Sequence, residues 1–272
     1  MSLKLHRYLR RIKYGGPLSA TRQTLHNLHR AHALAIPFEN IDVQLGDVPS
    51  LEPDRIFEKL VVRERGGWCF EQNLLFAWAI RQIGLRVDLI GATVNRSRYV
   101  EGAPINHLAL LVHLDEPYLA DVGFGNGFLT PTPLREGTFN DGRFDFKLTC
   151  HGNFWRFYNH RENGATYDFT GEPVDSAVVD AANRSLATTS ESPFVQTLVC
   201  AKLTEDGMAT LTNAALRLYS PAHMNEESAS SQESFERILR EHFSLTVDRS
   251  AALWTRVADQ HKRWLRKRIR GF

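Results

Sequence analysis

Cys69 lies in the stretch RGGWCFEQN (residues 65–73), directly behind two glycines and at the start of a strongly helical pattern. A helix N-terminus carries unpaired backbone N–H groups and about half a positive charge. Both features favour a thiolate, the nucleophilic form of cysteine. The same N–H groups suit the oxyanion that forms when a thiolate attacks a carbonyl. Gly66 and Gly67 are expected to turn the chain sharply and to open the backbone to a substrate, and Arg65 adds a cation nearby. A free cysteine is equally at home as a small buried apolar residue. The stretch by itself leaves both roles open. Cys150 and Cys200 fall inside strand-like apolar runs and read as packing residues.

A cysteine nucleophile needs a base, usually histidine, and often a third group to orient that base. Among eleven histidines, His107 opens the alternating run HLALLVHL, and Asp121 stands between apolar residues near the end of the facing run YLADVGFG. A buried carboxylate requires a partner. A simple hairpin folded about Glu116 sets Asp121 opposite Leu111, four residues from His107. At ~3.3 Å per residue the gap is roughly 13 Å, beyond hydrogen-bond reach. A bulge, a strong twist or another register is required. Alternation alone also allows His107 to be an ordinary core histidine.

Other constellations carry less. His26, His29 and His32 recur every three residues on one helix, without acids or cysteines beside them to complete a metal site. GFGNG (123–127) lacks the Lys-Ser/Thr of a P-loop and the full dinucleotide fingerprint. HKRWLRKRIRGF (261–272) reads as a solvated helix face or as a contact for an anionic partner.

The positioning elements follow from periodicity. Helices are expected over TRQTLHNLHRAHALAI, with a Ser19 or Thr21 cap, over EPDRIFEKLV, and over CFEQNLLFAWAIRQ, closing on Gly84. From Val87 the period changes to two. A hairpin turning around Asp115 to Tyr118 is followed by further antiparallel strands in FDFKLTCHGNFWRFYNH and ATYDFTGEP. LRLYSPAHMNEESASSQ ends as a polar loop, and SQESFERILREHF opens on a Ser-x-x-Glu capping box at Ser231 or Ser234. The last segment is a basic helix. Helices, then strands, then a mixture indicate an α+β protein. With 43% apolar and 24% charged residues and a net charge of +2, the chain reads as globular, not as a dedicated nucleic-acid binder. Three cysteines without a CxxC pair, no secretory signal and no long apolar run suit a cytoplasmic protein with no membrane span and no structural metal.

Four blocks in order resemble the arylamine N-acetyltransferases: AIPFENIDV (35–43), RGGWCFEQN, NHLALLV with His107, and LADVGFG with Asp121. SPFVQTLV (192–199) extends the resemblance along the whole chain. It implies an N-terminal helical bundle (1–85) carrying the nucleophile and a central antiparallel β-barrel (86–188) carrying His and Asp. A connecting segment and α/β lid (189–272) complete it, around a Cys-His-Asp core like that of thiol proteases. By the same matching, Cys69, His107 and Asp121 form the triad, and Phe38 and Phe124 line an acceptor pocket. Phe194 matches a pocket aromatic more loosely, and Gly125 gives the acyl donor close access to the backbone. Glu39 and Arg65 match a buried structural ion pair. The implied reaction moves an acetyl group from acetyl-CoA to an arylamine, arylhydrazine or hydrazide through an acetyl-cysteine, without a metal, as in xenobiotic metabolism. The CoA phosphates are then a candidate partner for the basic tail. Amide synthases that close macrolactams on carrier-bound polyketide chains share the triad and are the alternative. The natural acceptor and the oligomeric state, a homo-oligomer included, stay open.

Overall fold

The computed structural model describes residues 2–95, 103–160, 165–221 and 223–269, except the side chains of 267–269. Helices α1 (Leu3–Arg11) and α2 (Arg22–Ala35) start at Ser2 and Thr21, whose hydroxyls accept N–H groups of the first turn. A two-residue strand, β1 (Phe38–Glu39), and the short α3 (Ile41–Gln44) follow. Helix α4 (Pro53–Phe57) begins on a proline, as a first turn allows, and continues as a π-helical turn over Glu58–Val62. Helix α5 (Cys69–Gln82) is buried along most of its length and stops before Gly84, whose φ is +88°.

Strands β2 (Arg86–Val94), β3 (His107–His113), β4 (Pro117–Ala120), β5 (Thr132–Pro133), β6 (Gly137–Asn140), β7 (Asp145–His151), β8 (Phe154–Tyr158) and β9 (Tyr167–Pro173) form one antiparallel sheet. Its order is β5-β4-β3-β2-β9-β8-β7-β6, nearly closed as a barrel. The inner face is aromatic, with Phe128, Phe146, Phe157 and Tyr167. Strand β3 is covered on both sides. Leu110 and Val112 join Tyr8, Leu25 and Phe76 in the helical core, while Ala109 and Leu111 face the barrel interior. Two covered faces explain why β3 is a nearly continuous apolar run.

Helix α6 (Ser176–Thr188) and the short α7 (Pro193–Gln196) lead into β10 (Val199–Leu203), β11 (Met208–Thr212), β12 (Ala215–Tyr219) and β13 (Met224–Ser228). Helices α8 (Gln232–Phe243) and α9 (Ser250–Ile269) pack Phe235, Leu239, Phe243, Leu253 and Val257 against Leu211 and Leu216. The second sheet runs β1-β10-β11-β12-β13. A strand from the helical region therefore pairs with the last third of the chain, Phe38 opposite Ala201 and Glu39 opposite Cys200.

The α+β class and the succession of helices, then strands, then a mixture are those read from the sequence. Some local expectations fail. Residues 224–228 form strand β13, not a loop; it lies at a sheet edge with all five residues exposed, so it carries no apolar alternation. The box at α8 pairs Ser231 with Ser234 instead of a glutamate, each hydroxyl accepting the other's N–H at 3.2 and 3.0 Å. Cys200 is buried, but Cys150 is only half-buried on β7 and its thiol donates to the Gly152 carbonyl at 3.3 Å. The basic tail is helical as far as Ile269, and its side chains beyond Arg266 lie outside the described residues. Among the described residues no helix is long and apolar enough to cross a membrane.

Candidate active site

The loop before Cys69 is shaped by packing. The chain reverses at Glu64, with φ of 51°, and neither Gly66 nor Gly67 has a positive φ. A Cβ at Gly66 would meet the Pro37 carbonyl and lie 2.6 Å from Glu39 Cγ; one at Gly67 would lie 2.9 Å from Glu71 Oε2. The glycines thus let the loop lie against β1 and α5, and protein fills the space where substrate access was expected. Gly67 N–H donates to Pro37 at 3.2 Å and its carbonyl accepts Glu39 N–H at 3.1 Å. Cys69, the first residue of α5, is only 2% exposed.

A buried charge cluster anchors this loop. Glu71 accepts the Trp68 N–H at 3.2 Å and both hydrogen bonds from Lys59 Nζ at 2.8 and 3.0 Å. Lys59 also reaches Asp42 at 2.7 Å. Arg65 binds Glu39 Oε1 through Nη2 at 2.7 Å and Nε at 3.1 Å, and Asp42 at 3.0 Å. The expected Glu39–Arg65 pair is therefore one edge of a cluster of three carboxylates and two cations. Burial opposes the charge on Lys59 and Arg65, but the surrounding acids outweigh it and raise both pKa values. Burial pushes the Glu71 carboxyl up to about 7, against the pull of Lys59. Lys59, Asp42 and Glu71 were not singled out in the sequence, although Glu71 sits at the third helical position, where a capping glutamate belongs.

The His–Asp contact comes from the hairpin register. Leu110 pairs with Ala120, Leu111 with Leu119 and His113 with Pro117, so the turn centres on Asp115, not Glu116. Continued by one residue, this register sets Asp121 level with Ala109. Only two residues then separate it from His107, within the span of a diagonal cross-strand neighbour. His107 Nε2 meets Asp121 Oδ2 at 2.7 Å. The roughly 13 Å gap of the naive hairpin is removed by register, without a bulge. Asn73 holds the acid in place: its Nδ2 donates to Asp121 Oδ1 at 2.9 Å and to the Leu108 carbonyl at 2.6 Å, and its Oδ1 accepts Val122 N–H at 3.1 Å. Gly123 N–H donates to the same Asp121 Oδ1 at 3.0 Å.

Burial works against a charged His107, but the Asp121 carboxylate and its hydrogen bond prevail, Cys69 adds a further hydrogen bond, and the imidazole rises to about 10. Burial would raise Asp121, yet the facing imidazolium and hydrogen bonds hold it below the usual carboxylate range. With Nε2 engaged by Asp121, Nδ1 is the nitrogen left for the sulfur.

The histidine row on α2 serves the core. His29 Nε2 accepts the Asp121 N–H at 3.1 Å, so its Nδ1–H donates to the Leu129 carbonyl at 2.9 Å. His32 accepts from the Tyr8 hydroxyl at 2.9 Å and meets Gln72 Oε1 at 3.3 Å. Burial drives His29 down to about 4 and His32 to about 3. Among the described residues no group of His, Cys, Asp or Glu is arranged to hold a metal ion.

Aromatic rings surround the sulfur and imidazole. Phe124 meets the His107 ring at 5.0 Å, edge to face, and Tyr167 at 5.0 Å. Phe194 stands 6.1 Å from Phe38 and 5.7 Å from Trp68, and all three share a cluster with Cys69. Gly125, φ +79°, packs against Phe38, whose Cγ would lie 3.1 Å from an added Cβ. Gly123 was missed: a Cβ there would stand 2.7 Å from Cys69 Cα and 2.8 Å from its carbonyl oxygen. The sequence-predicted residues thus converge on one buried place.

A family profile described as N-acetyltransferase matches residues 21–252. An arylamine N-acetyltransferase of Escherichia coli is 32% identical over 90% of this chain and 89% of its own. The solved arylamine N-acetyltransferase of Salmonella typhimurium superposes with a TM-score of 0.88 at 30% identity, covering 95% of this chain and 99% of that one. The Mycobacterium marinum arylamine N-acetyltransferase, solved in complex with CoA, gives 0.87 at 26% identity over 94% and 98%. By sequence, by fold and by the convergence of its motif residues, the chain belongs to the arylamine N-acetyltransferase family of acyltransferase enzymes.

Proposed function

We propose that the protein moves an acetyl group from acetyl-CoA to an arylamine, arylhydrazine or hydrazide through an acetyl-Cys69 intermediate. The observation that carries this reading is the hydrogen-bonded series Asp121, His107, Cys69 at the mouth of α5. The CoA complex of the Mycobacterium marinum relative supports the donor.

Asp121 favours the charged imidazole, so His107 is the group that takes the Cys69 proton as the sulfur becomes the nucleophile. Sγ attacks the thioester carbonyl carbon. The resulting oxyanion meets N–H groups of the first turn of α5, Cys69 included, which have no carbonyl one turn back within the helix. Collapse breaks the bond to the CoA sulfur, which leaves with the proton from His107. The acceptor nitrogen then attacks the acetyl-cysteine, His107 takes its proton, and Cys69 leaves as thiolate. Arylamines and hydrazides are weakly basic and keep a free lone pair at neutral pH, whereas alkylamines are mostly protonated. Phe38, Phe124 and Phe194 offer rings to a flat acceptor, and the Glu39–Arg65 edge of the charge cluster fixes the loop that presents the sulfur.

Intact-mass spectrometry after brief mixing with acetyl-CoA, beside a Cys69→Ala control, tests this. One acetyl group on the wild type alone, discharged by an arylamine or hydrazide, is expected. No adduct on a folded protein whose Cys69 still alkylates would sink acetyl-CoA as donor and favour a carrier-bound acyl chain.

A further inference from the structure

Across β1 and β10 from Cys69 lies a half-open cavity of about 870 Å³. Successive residues of β10 separate the two places. Ala201 packs beside Phe38 and Gly125, while Lys202, the next residue, lines the cavity. No residue of the triad and none of Phe38, Phe124 or Phe194 borders it. Its walls come from α1 and the turn after it, from α2, from the turn at Glu64, and from β10 with Ser244.

Six cations line these walls: Arg7, Arg10, Arg11, Lys13, Arg30 and Lys202. Only two carboxylates accompany them, Glu64 and Glu205. The excess is four positive charges, twice the net charge of the whole chain. Arg11 is locked in the wall by hydrogen bonds to the carbonyls of Leu60, Ala35 and Glu64 at 3.0, 3.1 and 3.2 Å. Arg30 pairs with Glu205. Arg7, Arg10 and Lys13 have no ion pair among the described residues. Lys202, half-buried, donates to Ser244 Oγ at 3.0 Å. Its pKa is lowered by burial and then by the like charges of Arg11 and Lys13, so the cations repel one another across the space. An anion bound there relieves that repulsion and stabilises the fold by mass action.

We propose that this cavity binds a small organic polyphosphate of the nucleoside di- or triphosphate class. A terminal phosphate carries roughly −1.5 to −2 charge at neutral pH, so a single one leaves the cavity cationic and a chain of them neutralises it. Arginine forks match phosphate oxygens in pairs. Tyr14, Leu34 and Val61 give the same walls an apolar surface for the body that carries the phosphates. The volume lies within the roughly 300–1,000 Å³ of small-molecule sites. Walls from four segments enclose a concave space, whereas nucleic acid calls for an open basic groove along its backbone.

Calorimetric titration of ATP, pyrophosphate and adenosine into the full chain at low salt tests this, and its readout is independent of acetyl transfer. One-to-one binding of ATP and of pyrophosphate, but not of adenosine, is expected. Arg10→Ser with Lys202→Gln should weaken ATP by about tenfold or more; if that protein unfolds, Arg10→Ser with Lys13→Gln, two exposed positions, replaces it. Cys69→Ala protein saturated with acetyl-CoA should bind ATP unchanged. Absence of ATP binding, equal binding by a folded double variant, or displacement of ATP by acetyl-CoA would each overturn the proposal.

Discussion

Asn73 donates to Asp121 at 2.9 Å from one turn beyond Cys69 on the same helix. Helix α5 therefore carries both the sulfur and the amide that aims the acid, and sulfur and imidazole are registered to each other through one rigid element. In Asn73→Ala, Asp121, the Leu108 carbonyl and the Val122 N–H each lose a hydrogen bond, at a cost of about 1–3 kcal/mol in stability. Acetylation of Cys69 should slow by about tenfold or more with little change in KM for the donor. Rapid-quench kinetics read both, and an unchanged rate constant would reduce Asn73 to a packing role.

Alkylation of Cys69 by iodoacetamide should be nearly level across neutral pH, because His107 stays charged until pH approaches its value of about 10. In Asp121→Asn the opposing charge is gone and burial dominates, so His107 loses its proton at lower pH. Labelling at pH 7 should then fall and rise with pH. The linkage has a matching sign: a raised imidazole stabilises the fold fully below about 6.5, the unfolded value, and this contribution is lost as pH climbs through about 10.

Acid should weaken the protein above the usual carboxylate range. His29 and His32 are neutral in the fold, at about 4 and about 3, while the unfolded chain takes up protons below about 6.5. More protons on the unfolded side mean that stability falls as pH drops through that window. Glu71, raised to about 7, acts oppositely between its unfolded value and 7, but it is one group against two. Urea midpoints should decline from pH 7 to pH 4, and His29→Gln with His32→Gln should flatten the decline. A slope unaffected by the double substitution would show that other groups set the acid limit.

Gly123→Ala should be among the most damaging single-methyl changes. The new Cβ would meet Cys69 Cα and carbonyl oxygen and Asn73 Nδ2 at 2.6–2.8 Å, so backbone must shift, at about 1–3 kcal/mol. Cys69 acetylation should fall with it. Gly171→Ala, with nothing within 4 Å and no positive φ, is the control, and thermal melting with the acetylation assay compares the two.

The helix behind Cys69 was legible because its apolar face and terminal glycine are local signals. The His107–Asp121 contact was not. A period of two fixes which face a residue occupies, but moving the turn from Glu116 to Asp115 shifts every pair by two positions. Helix α6 escaped notice because it buries only Val179, Asn183 and Ala187, a seam too thin to read as amphipathic. The partners of His29 are a carbonyl 100 residues away and an N–H 92 residues away along the chain, which makes a polar core position look like a metal row. Lys59, Asp42 and Glu71 look like scattered surface charge until the fold gathers them.

Strand β1 has β10 on one edge and a bridge from Phe38 to Gly67 on the other. The loop that presents Cys69 therefore leans on residues made after two-thirds of the chain has left the ribosome. Until β10 emerges, Phe38 and Glu39 lack their outer strand and the sulfur sits in an unfinished wall. A chain cut short before β10 would carry Cys69, His107 and Asp121 but lack the strand that closes the outer edge of β1.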